Sequence, residues 1–153
     1  MPQSSAIDAP SWVPQGPTGA PLVFVVEDNP ELARCFGLLL QRGGFRSVST
    51  ETADDALEGI RVLRPALVIV DLWLRIRQGA KLNSGADLVR ALSRDPLLRH
   101  LPVLVVTGDA RAETVAALAC GGAAPRAVQI VTKPEVVGDL SRLPNLVRQS
   151  LSA

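Results

Sequence analysis

The stretch Ala66-Leu67-Val68-Ile69-Val70-Asp71 carries the reading of this chain. An unbroken apolar run with three β-branched residues suits a strand buried on both faces, and such strands belong to parallel sheets. The run stops on a carboxylate. Three further runs stop on polar groups: Leu22-Val23-Phe24-Val25-Val26 leads into Glu27-Asp28, Pro102-Val103-Leu104-Val105-Val106 into Thr107-Gly108, and Ala127-Val128-Gln129-Ile130-Val131 into Thr132-Lys133-Pro134. In a parallel sheet these C-terminal ends share one edge, so acids, a hydroxyl and an ammonium are predicted to converge there. A divalent cation and a phosphoryl group suit such a gathering.

Helical patterns fill the intervals. Asn29-Pro30 reads as an N-cap and a helix-starting proline, followed by Leu32, Cys35, Phe36, Leu39 and Leu40 at helical spacing and a Gly43-Gly44 stop. Phe45-Arg46-Ser47-Val48-Ser49 is a short, half-polar strand suited to a sheet edge. Thr52 caps a helix with Ala53, Ala56, Leu57, Ile60 and Leu63 on one face. A long loop over residues 72–84 precedes a helix carrying Ala86, Leu88, Val89 and Leu92, which Asp95-Pro96 ends. Another helix is expected over 110–120, with a Gly121-Gly122 stop. The last helix is expected to start late, near Ser141, or to kink at Pro144, because proline donates no amide in a helix interior. The β-α unit repeated five times predicts an α/β fold with a parallel sheet covered on both faces.

At 153 residues, 47% hydrophobic and 20% charged, the chain suits one domain with a sizeable core. Residues 1–20 hold four prolines and two glycines without apolar periodicity, and read as a flexible arm before a domain spanning 21–153. A net charge of +1 gives no reason to expect nucleic acid or an anionic membrane as partner. No run approaches the roughly 20 apolar residues of a membrane helix, and the N-terminus lacks a secretory pattern, so a cytoplasmic protein is expected. Cys35 and Cys120 are then expected to be buried and reduced. A single histidine, His100, excludes a multi-histidine metal site.

The four strand endings, in the order acid pair, Asp, Thr, Lys-Pro, resemble a response-regulator receiver domain, similar to the single-domain chemotaxis-type regulators. The matching stretches are Val25-Val26-Glu27-Asp28-Asn29-Pro30, Val68-Ile69-Val70-Asp71-Leu72, Pro102 to Gly108, and Val131-Thr132-Lys133-Pro134. The resemblance implies a flavodoxin-like, doubly wound (βα)5 fold with strand order 2-1-3-4-5 and the site at the topological switch point. It implies that Asp71 is the phosphoacceptor, taking a phosphoryl group from a kinase phosphohistidine. Asp28, Asp71 and the backbone carbonyl of Trp73 would hold Mg²⁺ (or Mn²⁺), with Glu27 acting through water. Thr107 and Lys133 would meet the phosphoryl oxygens, and the Lys133–Pro134 bond would be cis. Such a protein is a phosphoacceptor that assists its own phosphotransfer and dephosphorylation, not an enzyme in the usual sense. Its partners would be a sensor histidine kinase or a phosphotransfer protein and a downstream protein target. With only a few residues after the last helix no DNA-binding output domain is expected, and a monomer or weak homodimer is expected.

The chain departs from the family pattern in three places. Ile130 stands three positions before Lys133, where an aromatic switch residue is usual. The loop after Asp71 is longer than usual and carries Arg75, Arg77 and Lys81. Trp73 and Asp109 occupy the two positions that tune hydrolysis of the phosphoaspartate, and a large indole at 73 is expected to prolong the acyl phosphate. Two other functions compete. A haloacid-dehalogenase-type phosphatase needs a second acid two residues after its aspartate, where Trp73 stands. A phosphorylation-independent interaction module with a rewired switch would explain Ile130 but leaves the acid pair, Asp71, Thr107 and Lys133 without a role.

Overall fold

The computed structural model describes residues 12–74, 78–82, 84–108 and 128–152. Its elements are β1 (Leu22–Val26), α1 (Pro30–Arg42), β2 (Arg46–Thr50), α2 (Ala53–Leu63), β3 (Leu67–Val70), α3 (Gly85–Arg94), β4 (Val103–Thr107), β5 (Val128–Thr132), α4 (Lys133–Gly138) and α5 (Arg142–Ser152). The strands form one sheet in the order β2-β1-β3-β4-β5, every pairing parallel. This is the doubly wound, flavodoxin-like order that the resemblance implies. The helix expected over 110–120, with Cys120, lies outside the described residues.

Side-chain alternation along the strands divides the core between the two faces of the sheet. Phe24, Val26, Val68, Val70, Val103 and Val105 pack with Ala56 and Ile60 of α2 and Leu88 and Leu92 of α3. Val23, Val25, Leu67, Ile69, Leu104 and Val106 pack with Phe36 and Leu40 of α1 and Leu143 and Val147 of α5. Burying each such large side chain stabilises the fold by about 1.5–3 kcal/mol, so both sheet faces hold the strand ends in place.

Local chemistry fixes the helix ends. The Asn29 side chain accepts from the amides of Glu31 and Leu32 (3.0 and 3.2 Å), with Pro30 in the first turn of α1. Thr52 accepts from Asp55 N and Ser84 from Asp87 N, capping α2 and α3. α2 ends on Arg64 in the left-handed region (φ 48°), an uncommon conformation for a residue with a side chain. The C-terminal helix starts late, at Arg142, and puts Pro144 in its first turn, where no hydrogen bond is lost. A separate short helix, α4, precedes it. A Thr132–Glu135 capping box starts α4, a pattern that the sequence reading passed over.

Residues 12–20 depart from the expected arm. Gln15 and Ser47 exchange backbone hydrogen bonds of 2.8 Å as an antiparallel bridge on the outer edge of β2, and Arg46 Nε donates to Ala20 O at 2.8 Å. Trp12 packs on the α2 side of the core, where a Cβ at Gly59 would lie 3.0 Å from its ring. An exposed strand edge is thus covered by the preceding segment. Cys35 is free but only half-buried, because its position on α1 faces the rim of the core. Among the described residues no helix is long and apolar enough to cross a membrane.

Candidate functional site

The parallel register brings the polar strand ends to one edge. Glu27 follows β1, with its amide bonded to Thr50 O at 3.1 Å, and Asp71 follows β3, with its amide bonded to Val26 O at 3.0 Å. Thr107 ends β4 opposite Thr132 of β5, and Lys133 opens α4. Carboxylate oxygens of Glu27, Asp28 and Asp71 all lie within 4.8 Å of one another. Glu27 and Asp71 are buried, at 1% and 4% exposure, Asp28 is half-buried, and Thr107 is fully buried.

Lys133 joins the acids. Its Nζ donates to Asp71 Oδ2 at 2.8 Å and lies 3.0 Å from Glu27 Oε1. The second oxygen of Asp71, Oδ1, accepts from the Trp73 amide at 3.0 Å, and Glu27 Oε2 accepts from the Asn29 amide at 3.0 Å. Both carboxylates are therefore held in fixed rotamers. The contact of Glu27 Oε1 with Lys133 is an ion pair and not a directed hydrogen bond, so this buried oxygen keeps a lone pair free of donors.

The electrostatics follow from crowding. Burial pushes the Glu27 carboxyl above its ordinary value and the Asp71 charge adds to this, against the opposing pull of the Asn29 amide and the Lys133 ammonium. Burial alone pulls Lys133 down, but its hydrogen bond to Asp71 and its charge contacts with Asp71 and Glu27 outweigh that, and the ammonium is held above the ordinary lysine range. Among the described residues, three carboxyl groups share this one ammonium in a largely buried space. A hard divalent cation fits this set, because the donors are all oxygens and one of them, Glu27 Oε1, is buried without a hydrogen bond.

The site thus gathers Glu27, Asp28, Asp71 and Lys133 and places Thr107 on the same edge, as the strand endings predict. Ile130 is half-buried against the α2–α3 side of the core, so its position is filled by an aliphatic side chain. Trp73 is 54% exposed. Asp109, Arg75 and Arg77 lie outside the described residues. The expected cis bond at Pro134 is corrected: no cis peptide occurs among the described residues. Lys133 and Pro134 form the first turn of α4 behind the Thr132 cap, where a trans proline already has the helical φ and costs no donor.

Two residues that the sequence reading did not single out shape the site from behind. A Cβ on Gly85 would lie 2.2 Å from the Asp71 carbonyl oxygen, so only glycine lets α3 start against the end of β3. Asp54, in the first turn of α2, accepts from the amides of Lys81 and Leu82 at 2.9 and 3.0 Å. The Ser84 cap hints at the first. Nothing local marks the second, whose partners lie far along the chain.

Known proteins share this arrangement. The family described as the response regulator receiver domain matches residues 23–144. The chain is 33% identical over 88 residues to the polar-differentiation response regulator DivK of Brucella anthropi, covering 58% of this chain and 67% of DivK. It is 30% identical over 101 residues to the nitrogen assimilation regulatory protein NtrX of Azorhizobium caulinodans, covering 66% of this chain but only 21% of that protein. The crystal structure of the receiver domain of NtrX from Brucella abortus superposes with a TM-score of 0.68 at 27% identity, over 86% of this chain and 98% of that one. With its sheet order, its acid cluster and its lysine all in place, the chain belongs to the response regulator receiver domain family of two-component signalling.

Proposed function

We propose that this receiver accepts a phosphoryl group on Asp71 from the phosphohistidine of a sensor kinase or phosphotransfer protein and signals through altered contacts with a protein target. The observation that carries the reading is the pairing of Asp71 Oδ2 with Lys133 Nζ at 2.8 Å beside the Glu27–Asp28 acid pair. An Asp71 oxygen forms the new bond to phosphorus as the bond from phosphorus to the donor imidazole breaks, and the imidazole leaves with a proton. Lys133 then turns from the carboxylate to a phosphoryl oxygen, and the Thr107 hydroxyl donates to another. Glu27, Asp28 and Asp71 would hold Mg²⁺ or Mn²⁺, which offsets the negative charge of the incoming group.

Phosphorylation replaces the single negative charge of the Asp71 carboxylate with the roughly −1.5 to −2 charges of a phosphoryl group, taking an acyl phosphate to match side-chain phosphate esters, and moves that charge outward from the strand end. The loops carrying Thr107 and Lys133 shift toward that charge, which biases the partner-binding face between two states. With Ile130 in place of an aromatic ring, the shift is transmitted by the backbone and by aliphatic packing. The protein is a phosphoacceptor that assists its own phosphotransfer and dephosphorylation, not a turnover enzyme.

Incubation with acetyl phosphate and Mg²⁺, followed by intact-mass measurement, tests the reading. The expected result is a gain of one phosphoryl group in the wild type and none in Asp71→Asn. A wild type that gains no mass, or a variant that still gains it, overturns the reading.

A further inference from the structure

The connection from Asp71 to α3 leaves the site and returns to it. At its start the Trp73 amide holds Asp71 Oδ1 (3.0 Å), and Leu72 is buried. At its end the Gly85 amide donates to Leu72 O at 3.0 Å, and Gly85 lies directly against the Asp71 carbonyl. A connection of this length loses many conformations on folding, and a specific tether offsets part of that cost. Asp54 supplies that tether: its two oxygens take the Lys81 and Leu82 amides separately, at 2.9 and 3.0 Å, which seats Leu82 against the α2–α3 core. Bonds from amides to an ionised carboxylate are stronger than neutral ones. Asp54 itself belongs to the first turn of α2, a rigid element capped by Thr52 and packed on the sheet through Ala56 and Ile60.

We propose that Asp54 is a positioning residue for phosphorylation of Asp71: by tying the loop to α2 at Lys81 and Leu82 it keeps the Trp73 amide on Asp71 Oδ1 and leaves Oδ2 aimed at Lys133. The proposal rests on the phosphoacceptor reading above. Asp54 touches neither the phosphoryl group nor the cation site and acts only through the loop. Its carboxylate accepts from two backbone amides, so an alanine releases both and an asparagine keeps one oxygen acceptor.

The test measures the phosphorylation rate constant of Asp71 with acetyl phosphate at saturating Mg²⁺ by intact mass. Asp54→Ala is expected to slow phosphorylation roughly three- to tenfold, in line with the cost of small misplacements of a reacting group, and Asp54→Asn to fall between it and the wild type. Lys81→Pro removes one of the two amide donors, and the double variant Asp54→Ala/Lys81→Pro should be no slower than Asp54→Ala alone. Ile60→Val separates position from stability, because it weakens the packing of α2 on the sheet but leaves its capped first turn and the tether intact; its melting temperature should drop while its phosphorylation rate holds. In a Trp12→Phe background, which leaves Trp73 as the single tryptophan, Asp54→Ala should also change the indole emission and Ile60→Val should not. A wild type that is never phosphorylated overturns the phosphoacceptor reading and this proposal together. A wild type that is phosphorylated, with Asp54→Ala equally fast or Ile60→Val equally slow, overturns this proposal alone.

Discussion

Two connections at the same sheet edge deliver carboxylates to one site, and they are held by different means. The turn from β1 to α1 is shaped largely by its own residues, with Lys133 reaching in from outside: Glu27 Oε2 accepts from the Asn29 amide, and the Asn29 side chain accepts from Glu31 and Leu32. The connection from β3 to α3 spans Asp71 to Ser84 and is secured from outside, by Asp54 of α2, by the close approach of Gly85 and by Lys133 of α4. The short turn is built from side chains adjacent in sequence. The long one depends on the fold having formed. Changes in the first should therefore act locally, whereas changes in the second should reach Asp71.

Lys133 bridges the two connections, and removing it should have the largest effect. Lys133→Met leaves Glu27 and Asp71 buried without their counter-charge, and we expect a loss of about 3 kcal/mol at neutral pH without divalent cation, measured by urea unfolding. Millimolar Mg²⁺ should restore part of it. The pH dependence has a definite sign. The folded-state pKa of Lys133 lies above its ordinary value, so the stabilisation is fully present below the unfolded lysine pKa of about 10.4 and fades as the pH rises through the folded one. The stability gap between wild type and variant should narrow above that pH; a gap that stays constant would mean that packing, not charge, is what the lysine provides.

Gly85→Ala tests the return of the long connection. The added methyl meets backbone at 2.2 Å and no flexible side chain, so α3 must move relative to Asp71. The expected cost is about 1–3 kcal/mol, with a slower phosphorylation of Asp71 that Asn29→Ala does not share. Asn29→Ala probes the short turn: it removes the cap of α1, should cost about 1 kcal/mol, and should leave phosphorylation of Asp71 nearly unchanged. Equal effects of the two substitutions on phosphorylation would erase the distinction between the connections.

The same contrast explains what could be read from the sequence. Asn29 and Thr52 as caps, the buried strands, and the alignment of Asp28, Asp71, Thr107 and Lys133 all follow from neighbours in sequence and from the geometry of parallel strands. What escaped depends on distance along the chain. The half-polar pattern of residues 45–49 marks a sheet edge, but nothing local tells that the proline-rich segment far upstream covers it through the Gln15–Ser47 bridge. Asp54 reads as an ordinary acid in a helix's first turn, favourable to the dipole, until the loop folds back on it. The helix that opens at Lys133-Pro134 is the exception, because its Thr132–Glu135 capping box is a local pattern that stands in the sequence.

Trp73 lies where the long connection begins, and its two parts do separate things. Its amide belongs to the backbone and holds Asp71 Oδ1, so this bond survives any substitution that keeps an N–H. Its indole is 54% exposed and contributes little to the core, so Trp73→Asn should change stability by less than about 0.5 kcal/mol. The same substitution replaces a bulky apolar ring with a small polar group that can hydrogen-bond a water beside the acyl phosphate. Faster loss of phosphate from Asp71 is therefore expected, by severalfold and with little change in the rate of phosphorylation, when phosphorylated protein is freed of donor and followed by mass over time. An unchanged lifetime would show that the indole is turned away from the phosphoryl group, and that the long connection influences Asp71 through its backbone alone.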